Sequence, residues 1–538
     1  MKSSSTWTSP FTARFFNSPE FRLLLRFCAP ALLIGFVLRA ALTASMPHAY
    51  IQYDSSDFLA TTREWFAHQR FHIHPKRSFL TPVLFTLPFV LHIKPLIVIP
   101  LAQHLLGLWG TLIVGSLVRS WFRWWKIAIV PVTVIFAASP MIVWYEHTIM
   151  GEAQYLFFTL VMVWAGTHLA RHPSHSAFAF FVLSLVLVMG TRLEAKLYFA
   201  FAFMVVLFVF WGRWRPFAIY LGFLALTAGV TYWMGGKREG SGLAYATLIK
   251  LTPDHLTLEP EIEPYIIPIR DQVRKSFPTY PADLIKIDKA IQGSIEGYVS
   301  EIEPNKKKWE PMRAKILRNL CIEALRAHPV EALTLPWTKF ALASDAWSAY
   351  AFDQESLGPE QQLAFTLKDW TATVIGIGLD IPNMTDEQAR RWVTEHYDAR
   401  KVAWFVKYQG LWNDVRIRFR LPDHQIKQWR WVHDLYGGVP NPLTTYPGLP
   451  IYFILSFLGM LAASLRPQRL GMIHAAWVIT MLGGLYVVSM VAVTNARFRF
   501  VYEPFALMYF FLLFDCVADW CVSWKASRRR PTEELVLA

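Results

Sequence analysis

The chain has 538 residues, of which 54% are hydrophobic, and it carries a formal net charge of +14. Several apolar runs approach the roughly 20 residues that cross a bilayer as a helix, which excludes an ordinary soluble enzyme. The charge does not indicate a nucleic-acid partner, because Lys and Arg cluster at the ends of apolar runs, where they orient membrane proteins.

The first apolar run predicts a retained membrane anchor. Arg22 and Arg26 precede residues 27–46, a run that is too long for the apolar part of a cleaved signal peptide. With these arginines inside, the first helix delivers residues 47–78 to the extracytoplasmic side. The next apolar piece, 79–96, is short and broken by prolines, and counting it as a span would place the following arginines outside. We therefore expect an interfacial segment there.

Continuing this alternation of sides gives about ten transmembrane helices, with both termini in the cytoplasm. The predicted spans are 24–46, 97–118, 127–145, 152–170, 176–191, 197–212, 216–234, 448–465, 471–493 and 502–524. The predicted fold class is therefore an α-helical polytopic membrane protein with a mostly helical extracytoplasmic domain. The expected parts are a cytoplasmic N-terminus (1–23), a first transmembrane module (24–234), the extracytoplasmic domain (235–446), C-terminal transmembrane helices (447–524) and a cytoplasmic tail (525–538).

Two acidic residues follow the first span, at the start of an amphipathic helix. Asp54 and Asp57 precede apolar residues that recur at helical spacing through Phe66. A carboxylate at this place can accept a proton from an incoming hydroxyl group or hold a divalent cation. The alternative is that Asp54 caps the helix, because an acidic side chain satisfies free backbone N–H groups there.

Basic residues on the predicted outer side oppose the usual orientation bias. They are Arg39, Lys76, Arg77, Arg192, Lys196, Arg497 and Arg499. Arg192 and Lys196 are four residues apart and share a face if the segment is helical. Charged residues near apolar helices usually line a cavity, and Arg offers a planar fork of donors to a phosphate group. Snorkelling of each side chain to lipid headgroups is the competing interpretation.

Further acidic residues lie on the same predicted side. Glu152 begins a helix, where the helix dipole favours an acid, and Glu146 and His147 are close by in sequence. Glu194 is a candidate counter-ion for Arg192 or Lys196. Glu152 is retained as a candidate for substrate binding, with a structural role as its alternative. The sequence leaves metal use open, with Mg²⁺ or Mn²⁺ as the candidate cations.

Four short motifs resemble the GT-C superfamily of membrane glycosyltransferases, in particular the branch of bacterial protein O-mannosyltransferases and lipid A aminoarabinose transferases. The resemblance covers 24–235 and 495–520. The motifs are Leu38-Arg39 leading to Asp54-Ser55-Ser56-Asp57-Phe58-Leu59, Ala138-Ser139-Pro140 before Gly151-Glu152, Thr191-Arg192-Leu193-Glu194, and Arg497-Phe498-Arg499-Phe500-Val501-Tyr502-Glu503-Pro504.

The resemblance implies an enzyme of the bacterial inner membrane that works on the periplasmic side of the cell envelope. Such enzymes transfer a sugar from a polyprenyl-phosphate donor to an extracytoplasmic lipid, polysaccharide or protein. By carry-over, Asp54 is the catalytic carboxylate, with Asp57 beside it. The outer basic residues then bind the departing lipid phosphate and stabilise the charge that grows on it.

Two other classes of function remain open from the sequence. A transporter or flippase for an amphipathic lipid-phosphate anion also needs Arg and Lys within the membrane, although no duplicated halves are visible. A non-catalytic scaffold is the other, with the 235–446 domain binding cell-wall material. An enzyme needs its candidate residues around one cavity near the outer face, whereas a transporter needs them along a path through the membrane.

Overall fold

A computed structural model describes the helices before and after the large polar region, together with parts of that region. The described residues are 18–50, 55–70, 77–192, 194–234, 295–309, 311–313, 315–316, 387, 391, 399–418, 424–425, 445–446, 451–466, 469–491 and 500–529. Within them the fold is almost entirely helical, and the predicted α-helical polytopic class is confirmed.

The helices before the polar region follow the apolar runs of the sequence. They are α1 (Pro19–Ser45), α2 (Ser55–Phe58), α3 (Ala60–His68), α4 (Leu80–Val90), α5 (Pro95–Trp121), α6 (Trp125–Ala138), α7 (Pro140–Glu146), α8 (Glu152–Arg171), α9 (His175–Thr191), α10 (Tyr198–Phe210) and α11 (Trp214–Met234). A 3₁₀ turn, Glu194–Leu197, lies between α9 and α10.

The polar region and the C-terminal part contribute fewer described elements. These are a helical stretch at 295–302, 3₁₀ turns at Lys306–Lys308 and Ala399–Val402, α12 (Ala403–Arg418), β1 (His424–Gln425), β2 (Thr445–Tyr446), α13 (Ile451–Ser464), α14 (Arg469–Val491) and α15 (Glu503–Arg529). The two short strands pair antiparallel, with His424 opposite Tyr446. Most of 235–446 lies outside the described residues, so its predicted helical character stays a prediction.

Four of the described helices are long and apolar enough to cross a membrane: α1, α5, α8 and α15 up to Trp524. The pair α6 and α7 meets the same test together, with a bend of 49° between them, and five further apolar helices are shorter. The predicted total of about ten spans and the domain limits stay predictions.

The bend between α6 and α7 departs from the single predicted helix at 127–145. Pro140 occupies the first position of α7, and Ser139 before it has non-helical backbone angles. Proline has no N–H for the preceding turn, and its ring disfavours helical angles in the residue before it. The chain therefore turns at Ser139 and sends α7 off at an angle.

One large apolar core joins the helices before the polar region to those after it. Trp477 of α14 packs against Phe201 and Tyr198 of α10 and against Phe505 of α15. These rings are buried, and their offset or edge-on arrangements are those that aromatic pairs favour. The C-terminal helices are therefore an integral part of the bundle.

A second, smaller apolar cluster lies where α12 packs on the end of the bundle. Phe405 stacks on Trp144 with ring centroids 6.0 Å apart, and the Trp404 indole N–H donates to Ser45 Oγ at 3.0 Å. The Tyr408 hydroxyl donates to the Ala138 carbonyl. A helix from the polar region thus covers the end of the bundle at which α1 and α7 terminate.

Candidate active site

The polar motifs meet at one end of the bundle, which we call the site end. The helices α1, α7 and α9 finish there, and α5, α8, α10 and α15 begin there. Their terminal residues bring together buried Arg, Glu, His and Tyr side chains. Among the residues that the structure describes, three ionic groups lie at this end.

The first group is built on Arg39 and Glu146, which are both buried. Arg39 Nε donates to Glu146 Oε2 at 2.6 Å and Nη2 donates to Oε1 at 2.7 Å. Arg39 Nη1 donates to the carbonyls of Gly35 and Ala137 at 3.0 and 2.9 Å. A paired fork geometry of this kind is the strongest form of carboxylate–guanidinium contact.

A glycine makes room for this pair. A Cβ atom at Gly107 of α5 would collide with Glu146 Oε1 and lie 2.7 Å from Arg39 Nη2. Since real Cβ atoms do not make such contacts, the carboxylate can lie against α5 only because residue 107 has no side chain.

Two histidines extend the Arg39–Glu146 pair. His104 Nδ1 lies 2.9 Å from Glu146 Oε2, and His104 Nε2 lies 3.1 Å from His147 Nδ1. His147 Nε2 is 3.1 Å from the His48 carbonyl. Burial lowers the pKa of His147 to about 3, and the neighbouring His104 lowers it further, so His147 is neutral near pH 7.

The 147–150 segment connects this group to the loop that follows α1. The Tyr50 N–H donates to the His147 carbonyl at 2.8 Å, and the Ile149 N–H donates to the Tyr50 carbonyl at 2.9 Å. Ser55 Oγ donates to the Ile149 carbonyl at 2.8 Å. Gln103 holds the same segment from α5 through a hydrogen bond to the Thr148 carbonyl at 2.8 Å.

The second ionic group is the pair of Asp57 and Arg77. Arg77 Nη2 lies 2.8 Å from Asp57 Oδ2, and the guanidinium carbon lies 4.4 Å from the centre of the Phe58 ring. Both side chains retain partial exposure, 14% for Arg77 and 28% for Asp57. This pair is therefore more accessible than the buried pair of Arg39 and Glu146.

The third group is a single arginine between two carboxylates. Arg192 Nη1 donates to Glu152 Oε1 at 2.6 Å, and Arg192 Nη2 donates to Glu194 Oε1 at 2.7 Å. Burial lowers the pKa of Arg192, but Glu194 and Glu152 more than offset this and hold its pKa well above the ordinary value. The guanidinium also lies over the Tyr155 ring, with 5.6 Å between its carbon and the ring centre.

The second and third groups lie against each other at the start of α8. A Cβ atom at Gly151 would stand 3.3 Å from the Phe58 ring and 3.4 Å from Thr81 Oγ1. The Thr81 hydroxyl donates to the Thr191 carbonyl at 3.4 Å. Phe58, which lies beneath Arg77, is thus close to Gly151, the residue before Glu152. Glu152 in turn is bonded to Arg192.

Tyrosine hydroxyls continue the third group into the bundle. The Tyr155 hydroxyl donates to that of Tyr198 at 3.0 Å, and Tyr502, which precedes α15, interacts with both. The motif at the start of the last helix therefore joins the same site.

The structure places six of the predicted site residues at the site end: Arg39, Asp57, Arg77, Glu152, Arg192 and Lys196. The other four predicted residues, Asp54, Lys76, Arg497 and Arg499, lie outside the described residues.

The shared helix face expected for Arg192 and Lys196 does not form. Helix α9 ends at Thr191, and Arg192 has extended backbone angles (φ −144°, ψ 152°). Lys196 belongs to the separate 3₁₀ turn Glu194–Leu197. The extended backbone instead leaves Arg192 free to reach the carboxylates on both sides of it.

Sequence reasoning missed Gln103, His104 and the three tyrosines. A signal was available for the first two, since a Gln-His pair within the apolar helix α5 is costly in a bilayer and usually has a function or a polar partner. Glu146 and His147 were visible only as neighbours of Glu152.

In the described part of the chain, no group of three or more His, Cys, Asp or Glu side chains is arranged to hold a metal ion.

Comparisons with known proteins find similarity among solved structures. No family model matches the sequence, and no curated protein matches it. The crystal structure of ArnT from Cupriavidus metallidurans bound to undecaprenyl phosphate aligns with 78% of this chain and 85% of that chain. The identity is 13% and the TM-score is 0.32, which assigns no residue of this chain a role.

Proposed function

We propose that the chain is an integral membrane glycosyltransferase. It transfers a sugar from a polyprenyl-phosphate donor to an acceptor on the extracytoplasmic side of a bacterial inner membrane. The observation that carries this proposal is the convergence of the separate motifs. Residues 39, 57, 152, 192 and 502, from five distant segments, belong to adjoining contacts at one end of the bundle.

The orientation follows from the charges at the opposite end of the bundle. Basic residues gather there at the ends of α5, α8, α10 and α13, including Arg119, Arg171, Arg213 and Arg466. Positive residues next to spans favour the cytoplasmic side. The site end then faces outward, where a lipid-linked sugar and an envelope acceptor can meet.

Asp54 is the proposed general base. It immediately precedes Ser55, whose hydroxyl is bonded to the 147–150 segment. In the reaction the acceptor hydroxyl gives its proton to the Asp54 carboxylate while its oxygen forms a bond to the anomeric carbon. The bond from that carbon to the phosphate oxygen breaks, and the lipid phosphate leaves with the electron pair. Asp57 is the alternative base.

Arg77 is the best-supported ligand for the departing phosphate. It is partly exposed, and its guanidinium meets the Asp57 carboxylate, which a phosphate could replace. Lys76, Arg497, Arg499 and Lys196 are proposed to act with it. The donors of Arg39 and Arg192 already meet carboxylates or carbonyls, so we assign them to holding the shape of the site.

The test is sugar transfer by purified protein in lipid, comparing the wild type with Asp54→Asn. A panel of polyprenyl-phosphate sugars serves as donors, and a crude envelope fraction supplies the acceptor. We expect Asp54→Asn to lose about 10²- to 10⁴-fold in kcat while still binding donor, as removal of a general base does. Asp57→Asn is the matched control for the neighbouring carboxylate.

Two results would count against the proposal. Full activity in Asp54→Asn, with activity lost in Asp57→Asn, would move the base to Asp57. Binding and vectorial movement of the lipid by the wild type, with no transfer from any donor, would establish the transporter instead.

A further inference from the structure

The hydrogen-bonded chain from Arg39 to the His48 carbonyl allows its protons to be placed. Both ends have fixed roles, because a guanidinium only donates and a backbone carbonyl only accepts. Between them stand Glu146, His104 and His147, joined by contacts of 2.6 to 3.1 Å. The protonation of each ring follows from these partners.

From the carbonyl end, His147 fixes one proton of His104. His147 Nε2 faces the His48 carbonyl at 3.1 Å and must carry a hydrogen. Because His147 is neutral, its Nδ1 has no hydrogen and acts as the acceptor. His104 Nε2, 3.1 Å away, is therefore the donor of that contact.

From the arginine end, Glu146 fixes the other proton of His104. Both Glu146 oxygens accept hydrogen bonds from Arg39, as an ionised carboxylate does. His104 Nδ1 lies 2.9 Å from Oε2, and two lone pairs at that distance would repel each other. Nδ1 therefore carries a hydrogen as well, and both ring nitrogens of His104 are protonated.

We propose that His104 is a buried imidazolium whose two N–H groups hold the 147–150 segment, and through it the backbone on either side of Asp54. Glu146 precedes that segment and His147 begins it, and the segment bonds to Tyr50 and Ser55. His104 is thus a positioning residue. The proposed charge state of His104 does not depend on the proposed function of the protein. The positioning role of His104 rests on that proposed function.

The buried group of Arg39, Glu146, His104 and His147 carries one net positive charge when His104 is an imidazolium. Arg39 comes from α1 and Glu146 from α7, while neutral His147 and the backbone of His48 come from the adjoining loops. Tyr408 of α12 lies near Arg39. Arg39 and His104 together carry two positive charges against one negative charge on Glu146. Removing the His104 ring removes both N–H contacts at once and loosens the segment.

The charge state is tested by nitrogen NMR of the full-length protein in lipid nanodiscs, with ¹⁵N-labelled histidine. We expect a histidine with both ring nitrogens protonated at pH 7, and its signal disappears in His104→Gln. A His104 with one unprotonated nitrogen at pH 7 would overturn the proposal. If His104→Gln does not fold, His147→Asn assigns the same signal, because only its direct neighbour changes strongly.

The positioning role is tested by comparing kcat with donor binding in His104→Gln. We expect kcat per folded molecule to fall about 10- to 100-fold at pH 7, as small misplacements of reacting groups cause, while the Kd for the polyprenyl-phosphate donor changes little. His175→Gln is the matched control, since His175 bonds to Tyr220 at the opposite end of the bundle.

The outcomes separate the two claims. Equal kcat per folded molecule in the wild type and His104→Gln would overturn the positioning role while leaving the glycosyltransferase proposal intact. A doubly protonated His104 in a wild type that transfers no sugar would support the charge state and count against the proposed function alone.

Discussion

The two ends of the bundle both carry buried charges, but they use them differently. At the end opposite the site, the buried Asp515 carboxylate accepts hydrogen bonds from the backbone N–H groups of Arg123 and Trp124 at 3.1 and 2.8 Å. Arg466 bonds to Asp515 and also donates to the Trp121 carbonyl at 2.6 Å. These charges close the turn between α5 and α6 by satisfying backbone groups at helix ends.

At the site end the charges mostly meet other side chains. Glu146 accepts from Arg39 and His104, and Arg192 donates to Glu152 and Glu194. Arg39 also donates to the Ala137 carbonyl near the end of α6, but helix capping does not account for the contacts between side chains. The two ends therefore differ in the partners of their charges, which are largely backbone groups at one end and largely side chains at the other.

The largest effect is expected from removing the cation between two buried carboxylates. Arg192→Met leaves the fully buried Glu152 without its partner, which should cost about 3 to 5 kcal/mol of unfolding free energy. Equilibrium unfolding in lipid nanodiscs measures this loss of free energy. The double variant Arg192→Met/Glu152→Leu, which also removes the charge left facing the mutated site, should recover part of the loss, and a single variant as stable as the wild type would contradict the assignment.

A smaller effect is expected at the opposite end. Asp515→Asn keeps the shape of the side chain but weakens its hydrogen bonds to Arg466 and to two backbone N–H groups. This should lower the free energy of unfolding by about 1 to 3 kcal/mol. Because this acid serves the turn alone, sugar transfer per folded molecule should match that of the wild type. A loss of specific activity comparable to that of Asp54→Asn would remove the distinction between the two ends.

The smallest change in stability is expected at the exposed pair of the site end. Arg77→Gln should alter unfolding free energy by at most about 1 kcal/mol, because its pair with Asp57 is partly solvated. It should nevertheless raise the KM for the polyprenyl-phosphate donor several-fold, which steady-state kinetics measures. Arg119→Gln, which breaks a partly exposed pair with Glu20 at the other end, is the control. An unchanged KM in Arg77→Gln would remove Arg77 from the phosphate site.

The helices could be predicted from the sequence because their signals are local. The predicted spans 152–170 and 176–191 coincide closely with Glu152–Arg171 and His175–Thr191, since apolar runs end at Gly, Arg or Ser residues that punctuate helices. The bend at Ser139 was missed, although Pro140 was present, because a proline can also begin or kink a continuous span.

The pairings within the site could not be predicted. Arg39 and Glu146 are 107 residues apart, and no local pattern records that their helices meet. The charge and predicted side of Arg192 predict phosphate binding. Its carboxylate partners could not be predicted, because they depend on the extended backbone after α9. The sequence predicts that the candidate residues share one side, and the six described ones do lie at one end of the bundle. Their division into paired and more accessible groups could be seen only from the packing.

The absence of a side chain at Gly107 constrains which residues can occur together at positions 39, 107 and 146. As long as Glu146 rests against α5, position 107 cannot carry a side chain, and as long as Arg39 is buried, position 146 must carry an acid. Arginine, glycine and glutamate at these three positions therefore form a linked signature that should be retained or replaced together. For a chain that no family model matches, this triplet is a pattern by which distant homologues can be recognised and aligned.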